Sequence, residues 1–331
     1  MRSLWRQLSL SAFLLLGLSY QVRAETLSFE GLSQIPLSSE QDHDVGEMLA
    51  MIESQNRALD QALAYLRKQP FFAATRLQAD YHPALALSLI NDSLAFAPKA
   101  NAGQQPMAQY KFKLRYDSLR FPDKVDTFFQ QNFYGVALVK RALENTRRLE
   151  AESRSYLQKV SQAQDPAYLQ MLREGEGRRL QQQFKIYQLS LEANTVYNRK
   201  QYAKALELLD QAIRIDPANA DLYMFRGLVT AEEKKYDASL KDLSRAIELA
   251  PEEATFYLMR GSVYLAQAIL ISKSRQDFNR TIELKPDIGL AYLLRAYTNQ
   301  ALKDCPAALA DYNQACELGM SDACEKGCNS F

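Results

Sequence analysis

The chain has 331 residues, of which 47% are apolar, and its 40 lysines and arginines almost balance its 39 aspartates and glutamates. A chain of this length holds about two domains, and this apolar content is sufficient for packed cores. Nucleic-acid binding draws most of its affinity from neutralised phosphates and leaves a concentrated basic excess. No such excess is present, so we exclude that function.

The N-terminus has the pattern of a secretory signal peptide. Arg2 and Arg6 precede an apolar run over 8–18, and Val22-Arg23-Ala24 supplies a cleavage site. The run is too short to cross a bilayer as a helix. We expect residues 1–24 to be removed, which takes three arginines from the 40 basic residues and leaves 37 against 39 acidic ones. An uncleaved membrane anchor is the alternative.

Residues 25–46 and 47–185 show no clear repeat. Ser, Gln, Glu and Gly dominate residues 25–46, which are predicted to be a flexible leader. Residues 47–185 are predicted to be a mostly helical region of unknown type. Within this region, apolar spacing indicates one helix over 47–68 and a second over 83–96, for which a degenerate copy of a repeat is the alternative.

Two further patterns fall in the same region. Residues 110–116 alternate aromatic or apolar with basic side chains, which is typical of a strand with one solvated face. A basic aromatic binding patch is the alternative, but lysines are also common on edge strands, where they discourage pairing. Over 126–189 the chain is predicted to form long helices, broken near Asp165-Pro166.

One spacing recurs three times in the C-terminal part. Tyr223, Tyr257 and Tyr292 each precede an arginine by three positions and a small residue by four, at steps of 34 and 35. The boundaries of the copies are marked by Pro217, Pro251 and Pro286. A period of this length is typical of a solenoid of helical hairpins.

On this period, residues 186–219, 220–253, 254–288 and 289–322 resemble four tetratricopeptide (TPR) repeats. Tyrosines, small residues and prolines stand at the family's signature positions, clearest in the first two copies: Ala193, Tyr202, Ala205, Leu209, Ala212, Pro217, Tyr223, Gly227, Tyr236, Leu243, Ala246 and Pro251. The third copy is the weakest, because it has one extra residue and Gln267-Ala268-Ile269-Leu270 offers no Gly, Asn or Pro for a turn. The resemblance implies an all-α TPR superhelical solenoid of helix-turn-helix repeats, preceded by the mostly helical N-terminal region.

An arginine on the first helix is matched by an aspartate 16 or 17 residues later in three of the copies. The pairs are Arg226 with Asp242, Arg260 with Asp277 and Arg295 with Asp311. A ligand-binding ladder is one interpretation, but arginine and aspartate favour bidentate pairing within a hairpin. We therefore expect an internal, structural role.

In TPR proteins, fixed positions of each first helix line the ligand groove. By resemblance, the partner-binding residues of this chain are Tyr187, Ser190, Asn194, Tyr197, Asn198, Asp221, Met224, Leu228, Glu232, Leu258, Ser262, Leu293 and Tyr297. No lysine or arginine is among them, which argues against capture of a C-terminal carboxylate. They suit a helix or extended peptide with apolar anchors. The alternative is that the apolar members pack inside the chain.

All four cysteines lie near the C-terminus. In an exported protein they imply disulfides, with three possible connectivities. Cys305 and Cys316 lie on one side of the last helix, and a turn after it would bring Cys324 opposite Cys316. This C-x7-C interval also resembles that of cysteine-rich Sel1-like repeat proteins, which bridge it. We predict Cys316–Cys324 and, as the remainder, Cys305–Cys328, in a stapled cap over 323–331. Zinc and redox sites are disfavoured by the spacings.

No catalytic or cofactor motif was found. The two histidines, His43 and His82, lie in the predicted leader and before a proline, and the chain has no G-x-S-x-G, H-E-x-x-H or glycine-rich phosphate loop. We expect no cofactor, metal, small-molecule substrate or enzymatic activity.

The predicted function is an exported scaffold that binds a protein or peptide partner in its groove. The expected setting is the periplasm, and envelope assembly and secretion are the processes considered. The alternatives are a secreted factor acting on an extracellular or host partner, and an enzyme with activity in residues 47–185.

Overall fold

The computed structural model describes residues 26–37, 40–69, 92–96, 107–117, 133–268 and 270–328. A three-stranded sheet and helices form the N-terminal part of these ranges, and helical hairpins form the C-terminal part. The signal peptide predicted at 1–24 lies outside the described residues. Among those residues, no helix is both long enough and apolar enough to span a membrane.

The sheet is antiparallel, with strand order β1-β3-β2: β1 is Thr26–Pro36, β2 is Asp92–Phe96 and β3 is Met107–Asp117. The central strand β3 pairs with β1 over the whole length of both strands. The strand predicted at 110–116 lies within β3.

The helix predicted over 83–96 is wrong for Asp92–Phe96. That segment is β2, which pairs with β3 from Asp92 opposite Arg115 to Phe96 opposite Lys111. A short apolar run fits either a helix or a strand, and pairing with a distant strand decides the outcome here. Residues 83–91 lie outside the described part of the chain.

The prediction of a flexible leader over 25–46 is wrong as well, because β1 and the start of helix α1 (His43–Leu66) fall within it. β1 packs so closely on α1 that a Cβ on Gly31 would lie 1.8 Å from the carbonyl oxygen of Ser54. The Ser33 hydroxyl donates to the buried carboxylate of Glu53 at 2.7 Å. The polar composition suggested disorder, but β3 and α1 provide the partners that these polar groups need.

Three further α-helices lie in the N-terminal part: α2 (Phe133–Gln162), α3 (Pro166–Leu172) and α4 (Arg178–Asn198). A π-helical turn, Arg173–Gly177, joins α3 to α4. α3 begins at the predicted break, where the Asp165 side chain accepts a hydrogen bond from the Ala167 N–H at 3.1 Å. Residues of α1, α2, α3 and α4 share one apolar core, centred on buried Tyr156.

The C-terminal part is an all-α solenoid of helical hairpins, as the sequence predicts. Its four hairpins are α4 with α5 (Tyr202–Ile215), α6 (Ala220–Glu232) with α7 (Tyr236–Leu249), α8 (Ala254–Gln267) with α9 (Ile271–Leu284), and α10 (Gly289–Ala301) with α11 (Cys305–Glu317). In two hairpins a serine of the second helix donates to a glycine carbonyl of the first, Ser239 to Gly227 at 2.7 Å and Ser274 to Gly261 at 2.9 Å. Glycine is needed at this crossing, because a Cβ on Gly261 would lie 2.8 Å from the Phe278 ring.

Each hairpin turns through a residue with positive φ that is not glycine: Lys200, Lys234, Ala268 and Lys303. The third hairpin therefore has a left-handed residue between its helices as the others do, although its sequence has no turn-forming residue. α9 begins three residues after Ala268, whereas the other second helices begin two residues after their turn residue. The extra residue of the third repeat is thus accommodated in the turn.

The arginine–aspartate pairs are structural. Arg226 donates from Nε and Nη2 to Asp242 at 2.9 and 2.7 Å, and from Nη1 to Asp210 of the preceding hairpin at 2.7 Å. The same pattern joins the later hairpins: Arg260 binds Asp277 and Ser244, and Arg295 binds Asp311 and Asn279. Each arginine therefore closes its own hairpin and ties it to the previous one.

Two disulfides close the C-terminal end, and they are the pairs expected from the sequence. The Cα atoms of Cys316 and Cys324 are 4.9 Å apart, and those of Cys305 and Cys328 are 5.5 Å apart. Between them, Met320 is buried against the last hairpin. The stapled tail covers an apolar face of the fourth hairpin.

Candidate partner-binding groove

The thirteen residues predicted for the groove lie on the first helices of the hairpins, α4, α6, α8 and α10. They differ in exposure: Asn198 and Glu232 are exposed, Tyr187, Ser190, Asn194, Tyr197, Asp221, Ser262 and Tyr297 are half-buried, and Met224, Leu228, Leu258 and Leu293 are buried.

The four buried residues correspond to the alternative that the sequence left open. Met224 is 1% exposed and Leu258 is 0% exposed, so neither can meet a partner without repacking of the core. Leu228 and Leu293 are each 7% exposed, so only a small part of either side chain is accessible to a partner. The resemblance identifies positions along a helix, but it does not show what neighbouring elements cover them.

Helix α2 lies against the start of the groove. Arg141 Nε is 2.5 Å from Asp221 Oδ1, and Asn145 Nδ2 donates to Asp221 Oδ2 at 2.9 Å. The hydroxyl of Tyr187 donates to Gln55 Oε1 of α1 at 2.6 Å. These two predicted groove residues therefore contact the chain's own N-terminal helices.

A cavity of about 140 Å³ remains between α2, α4 and α6. Ser190, Tyr187, Asp221 and Met224 line it together with Arg141. Arg141 and the other α2 residues here could not be predicted from the sequence, because an arginine and an asparagine four positions apart on a helix carry no distinctive local pattern.

A second pocket, of about 280 Å³, lies between the second and third repeats. It brings together three predicted residues, Leu228, Glu232 and Ser262, which come from the C-terminal turns of α6 and α8. Apolar side chains form much of the remaining wall: Ala231, Leu243, Met259, Val263 and Ala266. Lys234 and Tyr236 also line the pocket. The pocket is thus largely apolar, with charged groups of both signs.

Glu232 is linked to Tyr197 of the first repeat. The Tyr197 ring packs edge-on against Phe225, with centroids 6.0 Å apart. Burial, together with the negative charge of Glu232, raises the pKa of Tyr197 well above its ordinary value. The Tyr197 hydroxyl therefore stays protonated. Asn194 and Asn198 line neither cavity.

The last repeat is partly covered by the stapled tail. Lys326 lies over the ring of Tyr297, with Nζ 4.7 Å from the centroid, and Tyr297 packs edge-on against Tyr312 at 5.8 Å. Leu293 is buried in the same cluster. The predicted groove residues of the fourth repeat therefore contribute mainly to the C-terminal cap.

The described residues contain no group of three His, Cys, Asp or Glu side chains that could hold a metal ion. Of the two histidines, His43 is the first residue of α1 and His82 lies outside the described ranges.

No family model and no curated protein sequence matches this chain. Similar solved structures contain helical repeats. The crystal structure of MamA is 22% identical in sequence, and the alignment covers 42% of this chain and 80% of the MamA chain, with a TM-score of 0.39. The first TPR domain of human RPAP3 is 22% identical, and the alignment covers 39% of this chain and 96% of that domain, with a TM-score of 0.35. The Arabidopsis OM64 TPR domain is 22% identical, and the alignment covers 31% of this chain and 84% of that domain, with a TM-score of 0.30. At these values the likeness carries no conclusion about function.

Proposed function

We propose that this protein is an exported scaffold that binds a segment of a partner protein in the groove of its solenoid. The binding position is the 280 Å³ pocket between the second and third repeats. The observation that carries the proposal is that three of the residues assigned to the groove by resemblance, Leu228, Glu232 and Ser262, meet in this pocket.

The pocket indicates the chemistry of the partner segment. An apolar cavity of about 150 Å³ holds a benzene ring, so 280 Å³ accommodates one large aromatic or aliphatic side chain. Glu232 is exposed and offers a carboxylate to a cation or to backbone N–H groups of the segment. An apolar anchor flanked by a basic residue therefore fits best.

The two disulfides support export. Disulfides form and persist in oxidising compartments and are rare in the cytosol. Together with the signal-peptide pattern at 1–24, they favour the periplasm, where the scaffold would serve envelope assembly or secretion.

A matched pair of arginine substitutions tests the binding position. Ala266 is exposed and lines the pocket, whereas Ala238 is exposed on α7 and does not line it. The wild type, Ala266→Arg and Ala238→Arg are each crosslinked and recovered from the envelope fraction of the native host. We expect a discrete partner with the wild type and Ala238→Arg, and its loss with Ala266→Arg. Equal recovery from all three proteins would contradict the proposal.

A further inference from the structure

Arg141 of α2 connects two consecutive repeats of the solenoid. Its guanidinium pairs with Asp221 at the first turn of α6 and with Glu253, the residue that caps α8. It also lies 4.9 Å above the ring of Phe256 on α8. A planar guanidinium suits such a combination of carboxylates and an aromatic face. Asp221 is one of the positions assigned to the ligand groove.

The two halves of α2 have different environments. Leu149, Tyr156 and Val160 of the C-terminal half are buried in the N-terminal core, which fixes that half in place. Arg141 and Asn145, in the preceding turns, are half-buried and bind the carboxylate of Asp221. The helix is therefore anchored at one end and docked on the groove at the other.

The docking contacts combine two buried side chains, Leu143 at 7% and Thr146 at 4% exposure, with an electrostatic set. Burial alone would lower the pKa of Arg141, but the charges of Asp221 and Glu253 outweigh it and raise that pKa, so the arginine stays charged. All three charged side chains are partly exposed to solvent: Arg141 by 21%, Asp221 by 23% and Glu253 by 32%. Salt screens such partly exposed pairs.

The 140 Å³ cavity beneath this part of α2 indicates incomplete packing. The same two helices, α6 and α8, hold α2 at their N-terminal turns and line the 280 Å³ pocket at their C-terminal turns.

We propose that residues 140–148 are an intramolecular ligand of the groove, which a partner helix carrying an arginine and an asparagine four residues apart displaces from Asp221 and Glu253. This inference rests on the proposed function, because it concerns regulation of the same groove. The vacated surface selects a guanidinium through its two carboxylates and the Phe256 ring.

The probe is a fluorescent synthetic peptide with the chain's own sequence from residue 136 to residue 150, titrated into the full-length protein. Arg141→Ala with Asn145→Ala removes the two side chains that bind Asp221 and leaves its carboxylate available. Arg147→Ala is the control, since Arg147 is exposed on the same helix and its loss also removes one cation. We expect the double variant to bind the peptide about tenfold more tightly than the wild type and the control. Addition of Asp221→Asn should abolish the gain.

Equal binding of the peptide to the wild type and the double variant would overturn the inference. Hydrogen exchange on the wild type gives a second criterion that does not depend on variants folding: amides of 140–148 should exchange faster than those of 150–160. Equally slow exchange in both segments would also overturn it. The peptide assay uses no native partner, so its failure is distinct from failure of the Ala266→Arg comparison.

Discussion

The N-terminal part and the solenoid are stabilised in different ways. In the N-terminal part, key contacts join residues far apart in sequence, such as Asp42 with Arg173 at 2.8 Å and Glu53 with Arg154 at 2.7 Å. In the solenoid, the same short-range contacts recur in successive hairpins, such as Arg226 with Asp242. Loss of one contact should therefore lower stability most in the N-terminal part, where each contact is unique. Loss of one repeated contact in the solenoid should destabilise mainly its own hairpin.

The largest expected effect is at the crossing of β1 and α1. Gly31→Ala should lower the free energy of unfolding by roughly 3 kcal/mol or more, because its Cβ would overlap the Ser54 carbonyl oxygen and push the strand away. Urea denaturation measures this change. Gly175→Ala is the control, since nothing lies within 4 Å of its added Cβ. A similar loss in both variants would contradict the close packing of β1 on α1.

The two disulfides close a long and a short loop within the cap, so their contributions to stability can be compared. Replacing Cys305 and Cys328 by serine opens a loop of 23 residues, and replacing Cys316 and Cys324 by serine opens a loop of 8 residues. Because each disulfide restricts the unfolded chain, the first replacement should lower the free energy of unfolding by about 3.4 kcal/mol and the second by about 2.5 kcal/mol. Thermal unfolding of both double variants should show the larger decrease in Tm for the first. The reverse order would show that local packing, not chain entropy, dominates the cap.

A pair of aspartates on one arginine tests the repeated contacts. The side chain of Asp242 is 9% exposed and that of Asp210 is 48% exposed, and both bind Arg226. Asp242→Ala should cost about 2 kcal/mol, since Arg226 loses its bidentate partner in a half-buried site. Asp210→Ala should cost less than about 1 kcal/mol. Urea denaturation of both variants gives the two values, and equal costs would contradict the assignment of Asp242 as the main partner.

These contrasts explain which features were predictable from the sequence. The tyrosine, arginine and small-residue spacing predicted the solenoid because its contacts recur at short range. The sheet was missed in part because Thr26–Pro36 is polar and its partner β3 lies far along the chain. The docking of Arg141 on Asp221 was missed for the same reason. Burial of Met224 depends on neighbouring helices, which a repeat pattern does not reveal.

The smallest expected effect concerns the turn of the third repeat. Ala268 has a φ of 54°, a left-handed conformation that costs a non-glycine residue about 1 kcal/mol. Ala268→Gly should relieve that strain and raise the unfolding free energy by up to about 1 kcal/mol, less the added chain entropy of glycine. The midpoint of urea denaturation should rise slightly. A clear decrease would show that the Ala268 side chain contributes packing that outweighs the strain.

The most direct test of the proposed function uses a photo-crosslinking amino acid in place of Ala266, in the pocket, or Ala238, outside it. Illumination of the native host in vivo captures whatever lies within reach of each position. A discrete crosslinked band is expected from position 266 and none from position 238. A band of equal strength from position 238, or no band from position 266, would contradict partner binding in the pocket between the second and third repeats.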